Sequence, residues 1–199
     1  VQPQLSALEQ QRSCQDLTAL AGSCRGRREV REFVFRFVKD VCENYDVDGL
    51  QLDSLRNPIL FKKHTRTGDS VGRRELDLMT GLVKRIRRMM DDLALRRGRP
   101  MLLAVRVPNS VGFCKMVGID IEAWLQERLV DLLMTTCIFR LNPWKVSVDL
   151  GHKHGVPVYP CLSNTRHAGE AEMVRAMAAS YRARAMNVWD SGADGVYLQ

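Results

Sequence analysis

Two hydrophobic rhythms alternate along this chain. Between Glu29 and Asn44, Val30, Phe33, Val34, Phe37, Val38, Val41, Cys42 and Tyr45 recur at three- and four-residue steps, which predicts an amphipathic helix. The segment VDGLQLD follows as a short strand opened by Asp48-Gly49. A polar loop from Ser54 to about Gly72 leads to a long helix over 73–97, with Leu76, Met79, Val83, Ile86, Met90 and Leu93 on one face and Gly98 as its stop. MLLAVRV, 101–107, is the second strand, ended by Pro108, and helical turns follow near 111–116 and 121–128. VDLLMTT, 130–136, is the third strand, followed by a helix from Pro143-Trp144 to His154-Gly155. VPVYPCL, 156–162, is the fourth. A helix over about 170–190, with Met173, Met177, Tyr181, Ala185 and Val188 on one side, precedes the fifth, DGVYLQ, at 194–199.

The strands are near-continuous apolar runs, as a sheet buried on both faces requires, and strand–helix–strand alternation gives parallel pairing. An open dinucleotide-binding sheet would carry a Gly-rich turn after its first strand, and no G-x-G-x-x-G occurs in the sequence. The expectation is therefore α/β of the (β/α)8 TIM-barrel type. A complete barrel takes about 250 residues, so five βα units in 199 residues predict an incomplete one, read as a fragment or processed piece. Asp48-Gly49 and Asp194-Gly195 open two strands in the same way, which marks a repeated helix-to-strand turn. Residues 1–27, with Leu5, Leu8, Leu17 and Leu20 at helical spacing, precede the barrel domain of 28–199 and have no assigned place in it.

Composition changes this picture little. The chain is 45% hydrophobic and 27% charged, enough for one domain with a core. No apolar run approaches the roughly 18 residues of a membrane span. The net charge of +7 is concentrated between Arg73 and Arg99. A nucleic-acid patch there would be expected to interleave aromatic stacking groups, and it has none, so a solvated outer helix face is expected and no nucleic-acid partner. None of the six cysteines has C-x-x-C spacing and no H-E-x-x-H occurs, so neither a metal site nor a cofactor is expected. Cys42 falls on a helix's apolar face as a small core residue.

In parallel barrels the working groups sit at strand C-termini and in the loops that follow. This selects Gln51 and Asp53 of the first strand, then Ser54, Arg56 and Asn57, and Arg106 of the second strand with Asn109 after it. The third gives Thr135 and Thr136, with Arg140 and Asn142 after it, and the fourth gives Tyr159 and Cys161, then Ser163, Asn164, Arg166 and His167. Tyr197 and Gln199 end the fifth. Asp53 is the one carboxylate that ends a strand, on the same side as Gln51 because strand period is two. Ending an apolar run with Asp is costly unless the carboxylate is solvated, paired or used. It would cap the next turn or serve a site, and Arg56 and Arg106 would hold it ionised, as suits a nucleophile or electrostatic stabiliser. His64 and His167 lie in mouth-side loops as candidate substrate contacts, whereas His152 and His154 end a helix on the opposite side and suit a dipole contact. Tyr159 and Trp144 have the ring area to stack on a sugar or to pack.

VREFVFRFVKDVCENYDVDGLQLDSLRNP resembles a helix-plus-strand signature of the glycosyl-hydrolase-like (β/α)8 barrel proteins of environmental bacteria. RPMLLAVRVPNSVGFCKMVGIDIEAWLQERLVDLL, LGHKHGVPVYPCLS and NVWDSGADGVYLQ carry the resemblance on, over about 30–199. It implies a carbohydrate-acting barrel with a sugar or polysaccharide as substrate. Asp53 would be the catalytic carboxylate, and Gln51, Arg56, Arg106, Asn109, Tyr159 and His64 would bind substrate. The family strand reads D-G-[IL]-E-L-D, and this chain has Gln51 in place of the Glu. Glycoside hydrolysis uses two carboxyl groups, and an amide neither gives nor takes a proton. The second acid would then come from a loop, from Asp69 or Glu75, or from missing strands. Otherwise the barrel binds sugar without hydrolysing it.

Overall fold

A computed structural model describes residues 26–54, 60–61, 71–135, 141–162, 173–174 and 176–198. Its elements run α1 (Arg28–Asn44), β1 (Gly49–Asp53), α2 (Arg73–Arg97), β2 (Leu102–Val107), α3 (Val111–Val117) and α4 (Ile121–Gln126). Then follow β3 (Leu132–Thr135), α5 (Trp144–Lys153), β4 (Val158–Leu162), α6 (Ala178–Asp190) and β5 (Tyr197–Leu198). The five strands pair in parallel in the order β1-β2-β3-β4-β5. An open doubly wound sheet reverses its order at a switch point, and this sheet does not.

The sheet is also curled. In a flat sheet β5 would lie about 14 Å from β2 and about 19 Å from β1. Yet Arg106 of β2 sits 5.5 Å from the centre of the Tyr197 ring on β5, and Gln51 of β1 comes within 3.5 Å of the Tyr197 hydroxyl. The described fold is thus a curled half-barrel of parallel α/β type.

The main core lies between the outer face of the sheet and the helices. Leu103, Val105 and Val107 of β2, Leu133 of β3, and Val158 and Leu162 of β4 are buried there. The six apolar residues expected on one face of α2 are all buried against them. Glu75 accepts the Gly72 N–H at 3.0 Å to close the start of α2, and Gly98, at φ 66°, ends it.

Two helix faces differ from the periodicity. In α1 the buried residues are Val30, Phe35, Val38 and Cys42, while Phe33 and Phe37 are exposed. The apolar stripe in the sequence is wider than the contact with α2, and Phe35 lies under the Arg85 guanidinium, 3.7 Å from it. In α6 only Val188 is buried, and Met173 and Met177 before it are exposed.

The basic side chains of α2 are largely engaged. Lys84 pairs with Glu127 at 2.5 Å, Arg85 with Glu32 at 2.5 Å, and Arg87 with Asp91 and Asp131 at 2.5 and 2.7 Å. Arg97 donates to the carbonyls of Cys42, Tyr45 and Val47, fastening the turn that delivers β1. Arg99, just past the helix, pairs with Asp46 and Asp48.

One clamp occurs twice at the base of the sheet. Asp131 donates its N–H to the Leu103 carbonyl at 2.8 Å, while its carboxylate accepts the Leu103 N–H at 2.7 Å. Asp194 does the same with Val158, at 3.1 and 2.8 Å. Arg87 neutralises the first carboxylate, and His152, in the last turn of α5, meets the second at 2.7 Å. The two Asp-Gly turns share a steric cause. A Cβ on Gly49 would lie 2.3 Å from the Leu102 carbonyl oxygen, and one on Gly195 would lie 2.7 Å from the Tyr159 ring.

Candidate functional site

Strand parity divides the polar residues. Cα partners in parallel strands share a face, and Gln51, Asp53, Arg106, Met134 and Tyr159 are linked in this way on the inner face, with Cys161 and Tyr197 beside them. Asp53 and Arg106 are direct partners in register. The Arg106 Nε donates to Asp53 Oδ1 at 3.0 Å and its other fork nitrogen donates to Oδ2. This two-pronged geometry fixes both side chains.

The pair is lopsided. Arg106 is 4% exposed and Asp53 40%, so the carboxylate faces the mouth and the guanidinium lies beneath it. Burial pushes the Arg106 pKa down, but hydrogen bonding to Asp53 and its charge push it further up, with Cys161 adding to the rise. The guanidinium therefore stays charged. Its NH1 points to the Cys161 sulfur at 3.9 Å and its plane lies near the Tyr197 ring. Arg106 thus ties β1, β2, β4 and β5 into one inner cluster.

Gln51 completes this cluster and is half-buried, as is Tyr197. Tyr159 lies on the same face, with its ring over Gly195. Asn109 follows β2 but is buried, and its amide serves the backbone. Its Nδ2 donates to the Asn142 carbonyl at 2.7 Å and its Oδ1 accepts the Leu141 N–H at 2.9 Å. The Asn142 side chain returns a bond to the Asn109 carbonyl at 2.9 Å. Asn109 accordingly pins the segment that leads into α5. Glu75 is occupied in closing α2. Arg56, His64, Asp69 and His167 lie outside the described residues.

Among the described residues, no group of three or more His, Cys, Asp or Glu is placed to hold a metal ion. No helix there is long and apolar enough to cross a membrane. Cys42, Cys114 and Cys161 are buried, and burial pushes the Cys114 thiol up to about 12.

No protein-family model matches the sequence, and no curated protein matches it. The structure is similar to an N-acetylglucosaminidase of glycoside hydrolase family 18 from Paenibacillus barengoltzii, at 18% identity and a TM-score of 0.49. The match covers 70% of this chain and 46% of that one, so it spans less than half of the enzyme. At this level the likeness concerns the course of the chain alone.

Tyr197, which ends the fifth strand, lies on the inner face beside Cys161, and its hydroxyl faces Gln51. The Asp-Gly echo carried the signal: Tyr197 stands at the same offset from Asp194-Gly195 as Gln51 from Asp48-Gly49. The cluster offers a half-exposed carboxylate, an amide, a phenol and aromatic surface. Such groups can accept and donate hydrogen bonds to a ligand rich in hydroxyls.

Proposed function

We propose that residues 28–199 form part of a (β/α)8 barrel of glycoside-hydrolase type whose mouth takes a carbohydrate. The observation that carries this is the half-exposed Asp53 carboxylate, held from beneath by buried Arg106 and flanked by Gln51. The sequence resemblance supplies the substrate class, a sugar or polysaccharide. Asp53 acts as nucleophile or base, and Arg106 holds its charge. Gln51 binds hydroxyls, Tyr159 offers its ring, and Arg56 and His64, which follow Asp53 in the sequence, contribute further substrate contacts. Asn109 acts through the segment that it pins.

A second reading, a sugar-binding barrel without hydrolysis, is favoured by one specific observation. Asp53 is the sole carboxylate on the inner face among the described residues, with Gln51 where the family strand has Glu. Side chains two apart on a strand are separated by about 6.6 Å, within the range in which paired acids work. Gln51→Glu would therefore restore a plausible pair.

Binding and release of reducing ends, measured over a polysaccharide panel for the wild-type chain, Asp53→Asn and Gln51→Glu, separate these readings. Hydrolysis by the wild type that Asp53→Asn abolishes establishes the enzyme. Binding without hydrolysis, with activity gained in Gln51→Glu, establishes the binding barrel. If all three proteins fold and none binds or cleaves any glycan, the proposal is wrong.

A further inference from the structure

We infer that Tyr197 and Gln51 together form a subsite that reads a single sugar hydroxyl, which makes Tyr197 a specificity-determining residue of the mouth. This rests on the carbohydrate reading above. The two residues come from strands at opposite edges of the sheet, and only the curl brings them together. Their Nε2–hydroxyl separation of 3.5 Å is long for a hydrogen bond, whose usual range ends near 3.2 Å. One ligand oxygen seated beside the pair can lie about 2.9 Å from both groups at once. Both side chains are half-buried, so an incoming hydroxyl has access.

The chemistry at this point is complementary to a hydroxyl in particular. The Gln51 amide presents both a donor and an acceptor, and so does the Tyr197 phenol. A hydroxyl can accept from one and donate to the other. A methylene in its place would leave both groups facing an apolar surface without partners, which recognition sites built on hydrogen bonds penalise strongly. The Tyr197 ring is held independently of its oxygen, because the Arg106 guanidinium lies 5.5 Å from its centre. Removing the oxygen therefore leaves the ring, and the Asp53–Arg106 pair beside it, in place.

The test uses the 199-residue chain, wild type and Tyr197→Phe, titrated with cello-, xylo-, manno- and chito-oligosaccharides. The monodeoxy series of the best-bound sugar follows. In the wild type, one deoxy position is expected to weaken binding by roughly five- to tenfold, the scale of one neutral hydrogen bond. Tyr197→Phe is expected to weaken the parent sugar by a similar factor and to bind that one deoxy analogue as the wild type does. Circular dichroism confirms that the variant is folded. Equal losses for parent and deoxy sugars in the variant, or no loss at all, would overturn the subsite while leaving the carbohydrate reading intact. Absence of binding by the wild type to any of these sugars and to the wider polysaccharide panel overturns both.

Discussion

Arg106 reaches across from β2 to hold both carboxylate oxygens of Asp53 on β1, and it is the more deeply buried partner, at 4% exposure against 40%. The two halves of this pair should therefore fail differently. Asp53→Ala removes the carboxylate that both prongs of the buried guanidinium hold, and breaking a buried pair from one side typically costs about 3–5 kcal/mol. Arg106→Met fills much of the same volume and leaves a carboxylate that water can reach, so it should cost less, under about 2 kcal/mol. Urea midpoints for the two variants measure the difference.

Arg97 is expected to be the strongest single support of β1 from outside the sheet. Its guanidinium donates to three carbonyls, of Cys42, Tyr45 and Val47, at the junction between α1 and β1. Arg97→Ala strips partners from all three and should cost about 2–3 kcal/mol. Because β1 carries Gln51 and Asp53, the same variant should weaken ligand binding without touching the mouth. Chemical denaturation and titration on one preparation check both effects.

The two Asp-Gly turns predict intolerance of a single methyl group. Gly49→Ala would drive a Cβ into the Leu102 carbonyl, backbone that cannot give way cheaply, and should cost about 1–3 kcal/mol. Gly195→Ala meets the Tyr159 ring instead. It should displace that ring, with a smaller loss of stability and a shift in the tyrosine resonances. Thermal melts and NMR spectra of the two variants distinguish backbone from side-chain conflict.

Much of this architecture is legible in the sequence because the signals are local and periodic. The face of α2 follows from Leu76 to Leu93 at helical spacing, and parallel pairing follows from apolar strands separated by helices. Asp53 and Arg106 end their strands on the same face, so their proximity follows from parity once the strands are parallel. What pattern misses depends on which neighbour arrives. Phe33 and Phe37 have the spacing of core residues, but α2 packs beside Phe35 and Val38. Asn109 has the position of a ligand contact, yet its amide meets the backbone of Leu141 and Asn142, a partner more than thirty residues away that no local rule anticipates. The Gln51–Tyr197 meeting requires the curvature of the whole sheet.

Stability should fall in acid through Asp194. Its carboxyl is held below the usual carboxylate range by the hydrogen bond with His152 and by the Val158 N–H. A group whose folded pKa is depressed stabilises the fold above its unfolded pKa, near 3.9, and loses that contribution as pH falls through the folded value. Asp194→Asn should lower the melting temperature at pH 7. It should also reduce the further loss seen in the wild type below about pH 4. Melting curves from pH 2 to 7 for both proteins provide the comparison.

Calorimetric titration of the wild-type chain and of Asp53→Asn with a panel of oligosaccharides tests most directly whether the inner-face mouth is a carbohydrate site. Asn keeps the size of Asp53 but removes the charge that Arg106 holds in place. The account predicts saturable binding of at least one oligosaccharide by the wild type, weakened at least tenfold in Asp53→Asn, the scale expected for hydrogen bonds to a charged group. Equal affinities in the two proteins, or no binding by a folded wild type, would contradict it.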